Sequence, residues 1–101
     1  MNMSLNQIIK VLGTHKESLS KEFGIVSIGI FGSLAEGKAQ NDSDIDLFYQ
    51  LAEGESLGLK ELDELEEKIK TILGREDVDI VNFRFMNPII RYRAQKHLVH
   101  A

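Results

Sequence analysis

From Ile25 to Leu51 the chain reads IVSIGIFGSLAEGKAQNDSDIDLFYQL. The segment Ile25–Phe31 is short, apolar and rich in β-branched residues, which predicts a buried strand that stops at Gly32-Ser33. Ser33–Lys38 can form a short helix limited by Gly37, and the polar segment Ala39–Ser43 reads as a loop. A second strand is expected over Ile45–Tyr49. Asp44 and Asp46 lie one residue apart at its start, inside an apolar run. Side chains alternate across a strand, so the two acids share one face while Ile45 and Leu47 enter the core from the other. Like charges so placed repel unless a cation or a proton lies between them. With no His or Cys nearby, the donors are oxygens only, a set that suits Mg²⁺ or Mn²⁺.

The flanking sequence supplies the rest of the fold. Ser4-Leu5-Asn6-Gln7 has the form of a capping box. Leu5, Ile8, Ile9, Leu12, Leu19 and Phe23 follow at roughly helical spacing, with a gap near Gly13–Lys16, and Gly24 closes that helix. Leu59, Leu62, Leu65, Ile69, Ile72 and Leu73 form a helical stripe closed by Gly74, with Glu64–Lys68 and Glu66–Lys70 as i,i+4 pairs on the wet face. A third strand is expected over Asp77–Phe83. Asn87-Pro88 opens a final helix to about Lys96. His97–Ala101 reads as a short edge strand or a frayed tail. The order α, β, short α, β, α, β, α predicts an α/β (α+β) fold, a small sheet with helices on at least one face, as a single domain over residues 1–101.

Net charge is −4 and the pI about 5.3. That balance argues against direct nucleic-acid binding and against an anionic membrane surface, which call for basic patches. The start of the chain lacks a long apolar h-region and no run is long enough to span a bilayer, so a cytoplasmic location is expected. The chain has no cysteine, which removes disulfides, thiolate zinc sites and thiol nucleophiles.

The third strand carries Asp79 between Val78 and Ile80, a carboxylate in the same setting as Asp46. If the strands are neighbours, Asp79 completes a triad. Asp77 shares its face by spacing but lies at the strand mouth. Asp42 precedes the second strand and reads as a loop acid. Gly32-Ser33, where a strand runs into a helix, offers backbone N–H groups and a hydroxyl to a phosphate. A phosphate cradle beside three carboxylates points to metal-assisted nucleotide chemistry. His97 and His100 read as surface residues. Arg84, Arg91, Arg93 and Lys96 make the C-terminal part locally basic, as a solvated helix face or as a docking patch for an acidic partner.

Gly-Ser, a ten-residue spacer, Asp-x-Asp and a later "EDVDIVNF" together resemble the minimal nucleotidyltransferases of the DNA polymerase β-like superfamily, MNT antitoxins of HEPN/MNT pairs among them. The resemblance covers nearly the whole chain. It implies a small mixed sheet, a bound nucleoside triphosphate and two Mg²⁺ ions. It assigns Asp44 and Asp46 as paired metal ligands and Asp79 as the third carboxylate, which holds the catalytic metal and helps deprotonate the attacking hydroxyl. Gly32 and Ser33 become the triphosphate-binding turn. It further implies AMP transfer from ATP to a hydroxyl of a HEPN-type toxin, in a hetero-oligomer of toxin and antitoxin. The chain departs from the family where basic residues often follow Gly-Ser: Leu34 and Glu36 stand there, and Lys38 is the first base. Glu36 keeps an alternative open, a binding module of weak or lost catalysis that neutralises its partner by covering it. A small-molecule transferase is disfavoured, because no substrate domain is evident.

Overall fold

The computed structural model describes residues 4–38 and 44–101. Asp42 and the loop expected over Ala39–Ser43 lie outside them. Helix α1 runs Leu5–Phe23. The Ser4 hydroxyl accepts from the Gln7 N–H at 3.2 Å, and the Ser4 N–H donates to Gln7 Oε1 at 2.7 Å. This reciprocal box satisfies two of the donors that a helix start leaves open. The helix continues through Gly13–Lys16, where Gly13 faces open space, and ends at Gly24, whose φ of 74° is left-handed. Strand β1 follows over Ile25–Phe31, as expected.

Helix α2 is a single turn, Gly32–Ala35. Strand β2 spans Ile45–Leu51 and helix α3 Leu59–Leu73. Strand β3 is shorter than expected, Val78–Asn82. The reason is local: the Asn82 side chain accepts from the Arg84 N–H at 3.0 Å and turns Phe83–Phe85 into a 3₁₀ turn. The Asn87 side chain likewise accepts from the Ile89 N–H at 2.9 Å and starts helix α4, Pro88–Ala94, with proline where no N–H is needed. The C-terminal tail is an edge strand, β4, over Val99–His100.

The sheet order is β3-β2-β1-β4. β1 pairs antiparallel with β2 and with β4, while β2 and β3 are parallel. A parallel pair needs a crossover, which α3 supplies. The sheet is therefore mixed, and strand alternation divides its two faces. Ile28, Ile30, Ile45, Leu47, Val78 and Ile80 pack against α1 and α3. Each large aliphatic side chain so buried contributes about 1.5–3 kcal/mol. Phe48, Val81 and Phe31 point the other way and meet Met86, Phe83 and Ala94. Gly29 permits that second layer: a Cβ there would lie 2.7 Å from the Phe48 ring and would collide with the Val99 carbonyl. Asp46 and Asp79, alternating with the inward residues, fall on this second face.

The two i,i+4 pairs expected on α3 are absent from the ion pairs among the described residues. Lys68 reaches across to Glu22 of α1 instead, tying the two helices together.

Candidate active site

Asp46 stands opposite Phe31 of β1 on one side and Asp79 of β3 on the other. The parallel register thus sets the two carboxylates side by side, one strand spacing apart, about 4.8 Å. Asp79 is exposed and Asp46 half-buried. Burial first, then the charges of Asp79 and Asp44, push the Asp46 carboxyl above its ordinary value. Asp44 lies just before β2 and is exposed, near enough for its charge to be felt at Asp46 and at Arg75.

Asp77 is engaged elsewhere. Arg75 grips it with both guanidinium edges, Nε to Oδ1 at 2.7 Å and Nη2 to Oδ2, and this holds its carboxyl below the usual value. Of the two candidate acids on β3 and its mouth, Asp79 is the one without such a partner among the described residues.

Gly32 follows Phe31 directly and has φ of 77°. A Cβ there would lie 3.2 Å from Asp46 Cγ and would strike its Oδ2. The glycine turn therefore rests on the carboxylate itself. The spacing between Gly-Ser and Asp-x-Asp now has a physical meaning: it is the length of chain that lets Phe31 and Asp46 pair. Ser33 is half-buried in the same turn. The turn is held by bonds from the Glu36 N–H to the Gly32 carbonyl at 3.0 Å and from the Lys38 N–H to the Ser33 carbonyl at 2.8 Å. At four residues, α2 is too short to supply much of the helix dipole expected for it.

Asp46 and Asp79 line a groove of about 900 Å³, whose farther wall carries Asn82, Arg84, Phe85 and Ile90. That volume lies within the range of small-molecule sites. Sequence reasoning misses this wall, which comes from the 3₁₀ turn and α4. Its signal is present in the chain: no acid follows Asp79, and the first charged residue after it is Arg84. His100 packs edge-on against Phe48, ring centroids 5.3 Å apart, and His97 lines a smaller cavity beside Gly32.

The donor set fits a hard divalent cation. It offers carboxylate oxygens, and the Asp46 carboxyl, raised first by burial and then by the charges of Asp79 and Asp44, would be stabilised in its charged form by a cation. Among the described residues no three such side chains already converge into a metal cage. Asp46 and Asp79 are together, and Asp44 lies exposed just before β2, where its charge reaches Asp46.

The polymerase beta nucleotidyltransferase family model matches residues 13–99. Protein adenylyltransferase MntA of Thermococcus cleftensis is 42% identical over 79 residues, 78% of this chain and 77% of that protein. A solved structure assigned as a minimal nucleotidyltransferase superposes with a TM-score of 0.75 at 28% identity, covering 97% of this chain and 96% of that one. A chain from the structure of the tri-AMPylated Shewanella oneidensis HEPN toxin in complex with MNT antitoxin has a TM-score of 0.65 at 19% identity, over 92% of this chain and 70% of that one, a likeness of fold. The chain belongs to the polymerase beta nucleotidyltransferase family, and its chemistry is nucleotidyl transfer.

Proposed function

We propose that this protein is a Mg²⁺-dependent protein adenylyltransferase that moves AMP from ATP to a hydroxyl of a HEPN-type toxin and so acts as its antitoxin. The observation that carries the proposal is the pairing of Asp46 with Asp79 across two strands, with the Gly32 turn resting directly on Asp46. The names borne by the Thermococcus relative and the Shewanella complex support the acceptor class.

In the reaction the acceptor oxygen attacks the α-phosphorus of ATP. A new O–P bond forms, the bond from the α-phosphorus to the bridging oxygen breaks, and pyrophosphate leaves with its electron pair. Asp44, Asp46 and Asp79 would hold two Mg²⁺ ions, which when bound acidify the hydroxyl and neutralise charge on the leaving group. Asp79, exposed beside Asp46, takes the hydroxyl proton. Gly32 lets the backbone come close to the phosphates, and Ser33 adds a hydroxyl donor. The groove holds the nucleoside.

The test mixes the protein, ATP and Mg²⁺ with a HEPN-type toxin from the same genome and weighs both chains by mass spectrometry. The toxin should gain AMP. Asp44→Asn, Asp46→Asn and Asp79→Asn should each abolish transfer, and double variants should lose little more, because the acids act as one unit. Full activity in Asp46→Asn sinks the assignment.

A second reading, neutralisation by complex formation alone, is favoured by one observation. Phe85, Ile89 and Tyr92 are 77%, 71% and 65% exposed beside a row of cations. A toxin that is silenced in a stable complex without gaining mass selects that reading.

A further inference from the structure

The turn that follows Gly32 departs from what a polyphosphate needs. Its side chains are Ser33, Leu34, Ala35 and the exposed acid Glu36, and a base appears only at Lys38. A nucleoside triphosphate brings several negative charges to this place, and a bare carboxylate there repels them.

The missing charge arrives from another element. A cavity of about 270 Å³ opens beside the turn, lined by Gly32 and Glu36 on one side and by Ile90, Arg93, Ala94 and His97 on the other. Ile90, Arg93 and Ala94 have the i, i+3, i+4 spacing of one face of α4, and His97 follows in the turn beyond its end. Ala94 anchors that face, because it is buried in the cluster around Phe48. Arg93 is therefore aimed at the glycine turn by the register of α4. Among the described residues Arg93 makes no ion pair; the three that form involve Lys21, Lys68 and Arg75. The cavity adjoins the larger groove, since Phe31 and Ile90 line both. A chain of phosphates that begins at Asp46 and Asp79 and passes Gly32 runs into it.

We propose that Arg93 binds the β- and γ-phosphates of the nucleotide, reaching across from α4 to supply the positive charge that the turn after Gly32 lacks. The proposal rests on the nucleotide reading above. A guanidinium is well suited to this role, being always charged and presenting two parallel N–H groups to phosphate oxygens. Glu36, across the cavity, sets the size of the deficit that Arg93 must overcome.

Binding of ATP and of AMP, each with Mg²⁺, is measured on the whole chain by displacement of a fluorescent ATP analogue. Arg93→Ala should weaken ATP by roughly tenfold to a hundredfold, the range for a hydrogen bond to a charged group, and leave AMP nearly unchanged, since AMP ends before the cavity. Arg93→Lys should recover part of the loss. Glu36→Arg in the Arg93→Ala background should restore ATP binding by placing a cation on the opposite wall, which also shows that the single variant was folded. ATP binding by Arg93→Ala equal to that of the unaltered protein overturns the proposal. So does an equal loss of ATP and AMP, which would mark Arg93 as structural. If the unaltered protein binds no Mg²⁺·ATP, the adenylyltransferase reading falls, and this assignment with it.

Discussion

Asp46 works against the fold that carries it. Its carboxyl holds its proton to a higher pH in the native state than in the unfolded chain, because of burial and of the charges of Asp79 and Asp44. Between the two values the native state binds the extra proton, so stability falls as pH rises from the ordinary carboxylate value upward. Asp46→Asn should therefore raise the melting temperature of the metal-free protein at neutral pH, with a gain that shrinks towards acid pH. Mg²⁺ should stabilise the unaltered protein more than the variant, by about 2.7 kcal/mol at a hundred times the dissociation constant. Asp77 behaves oppositely. Arg75 depresses its native value, so its contribution is present above the unfolded value and is lost as pH falls through the native one. Asp77→Asn should melt lower at neutral pH and converge with the unaltered protein in acid. Thermal melts of the three proteins across pH check both signs, and a lower melt for Asp46→Asn at neutral pH would make that acid a structural partner. Asp46 and Asp79 are legible in the sequence because each stands between apolar residues. The grip of Arg75 on Asp77 is not, since closeness in sequence does not say whether two side chains fold towards each other.

The elements are legible where a local signal starts or stops them. Ser4 and Gln7 begin α1, Gly24 and Gly74 end two helices, a β-branched run marks β1, and an apolar and aromatic run marks β2. Sequence and structure part where tertiary contacts decide. Spacing pairs Lys68 with Glu64, yet Lys68 meets Glu22 because α1 and α3 lie side by side on one face of the sheet. The pattern carries β3 on to Phe83, but Asn82 folds back on Arg84 and stops it. The pairing partner of β4, and hence its existence as a strand, lies far away in β1. The two kinds of helix contact also differ in weight. Ile69 is fully buried between α3 and the sheet. Ile69→Ala should cost about 2–5 kcal/mol. Glu22→Gln, which breaks a partly exposed ion pair, should cost about 1 kcal/mol or less. Urea titrations of both variants rank them, and a larger loss for Glu22→Gln would show that the ion pair, more than the apolar stripe, clamps α1 to α3.

Across the whole molecule, charge is sorted along the chain. All acids lie at or before Asp79, and every charged residue after it is basic. The fold bends this polarity back on itself, so that Arg84 lines the groove that holds Asp46 and Asp79, and Arg93 the smaller cavity beside Gly32. The net charge of −4 hides this arrangement, which is why composition alone points only to a small acidic protein.

The register Phe31–Asp46–Asp79 has a consequence for how the protein comes into being. No two of these residues share a strand. Phe31 and Asp46 are near in sequence and can meet early, whereas Asp79 joins only after the α3 crossover closes a longer loop. During synthesis, the first two strands are made before the third, and until β3 joins them Asp46 lacks its neighbour Asp79 across the sheet. Competence thus switches on with completion of the sheet. In a denaturant titration with Mg²⁺, nucleotide binding should disappear together with the far-ultraviolet signal of the sheet. Binding that outlasts that signal would mean that the site can assemble without β3.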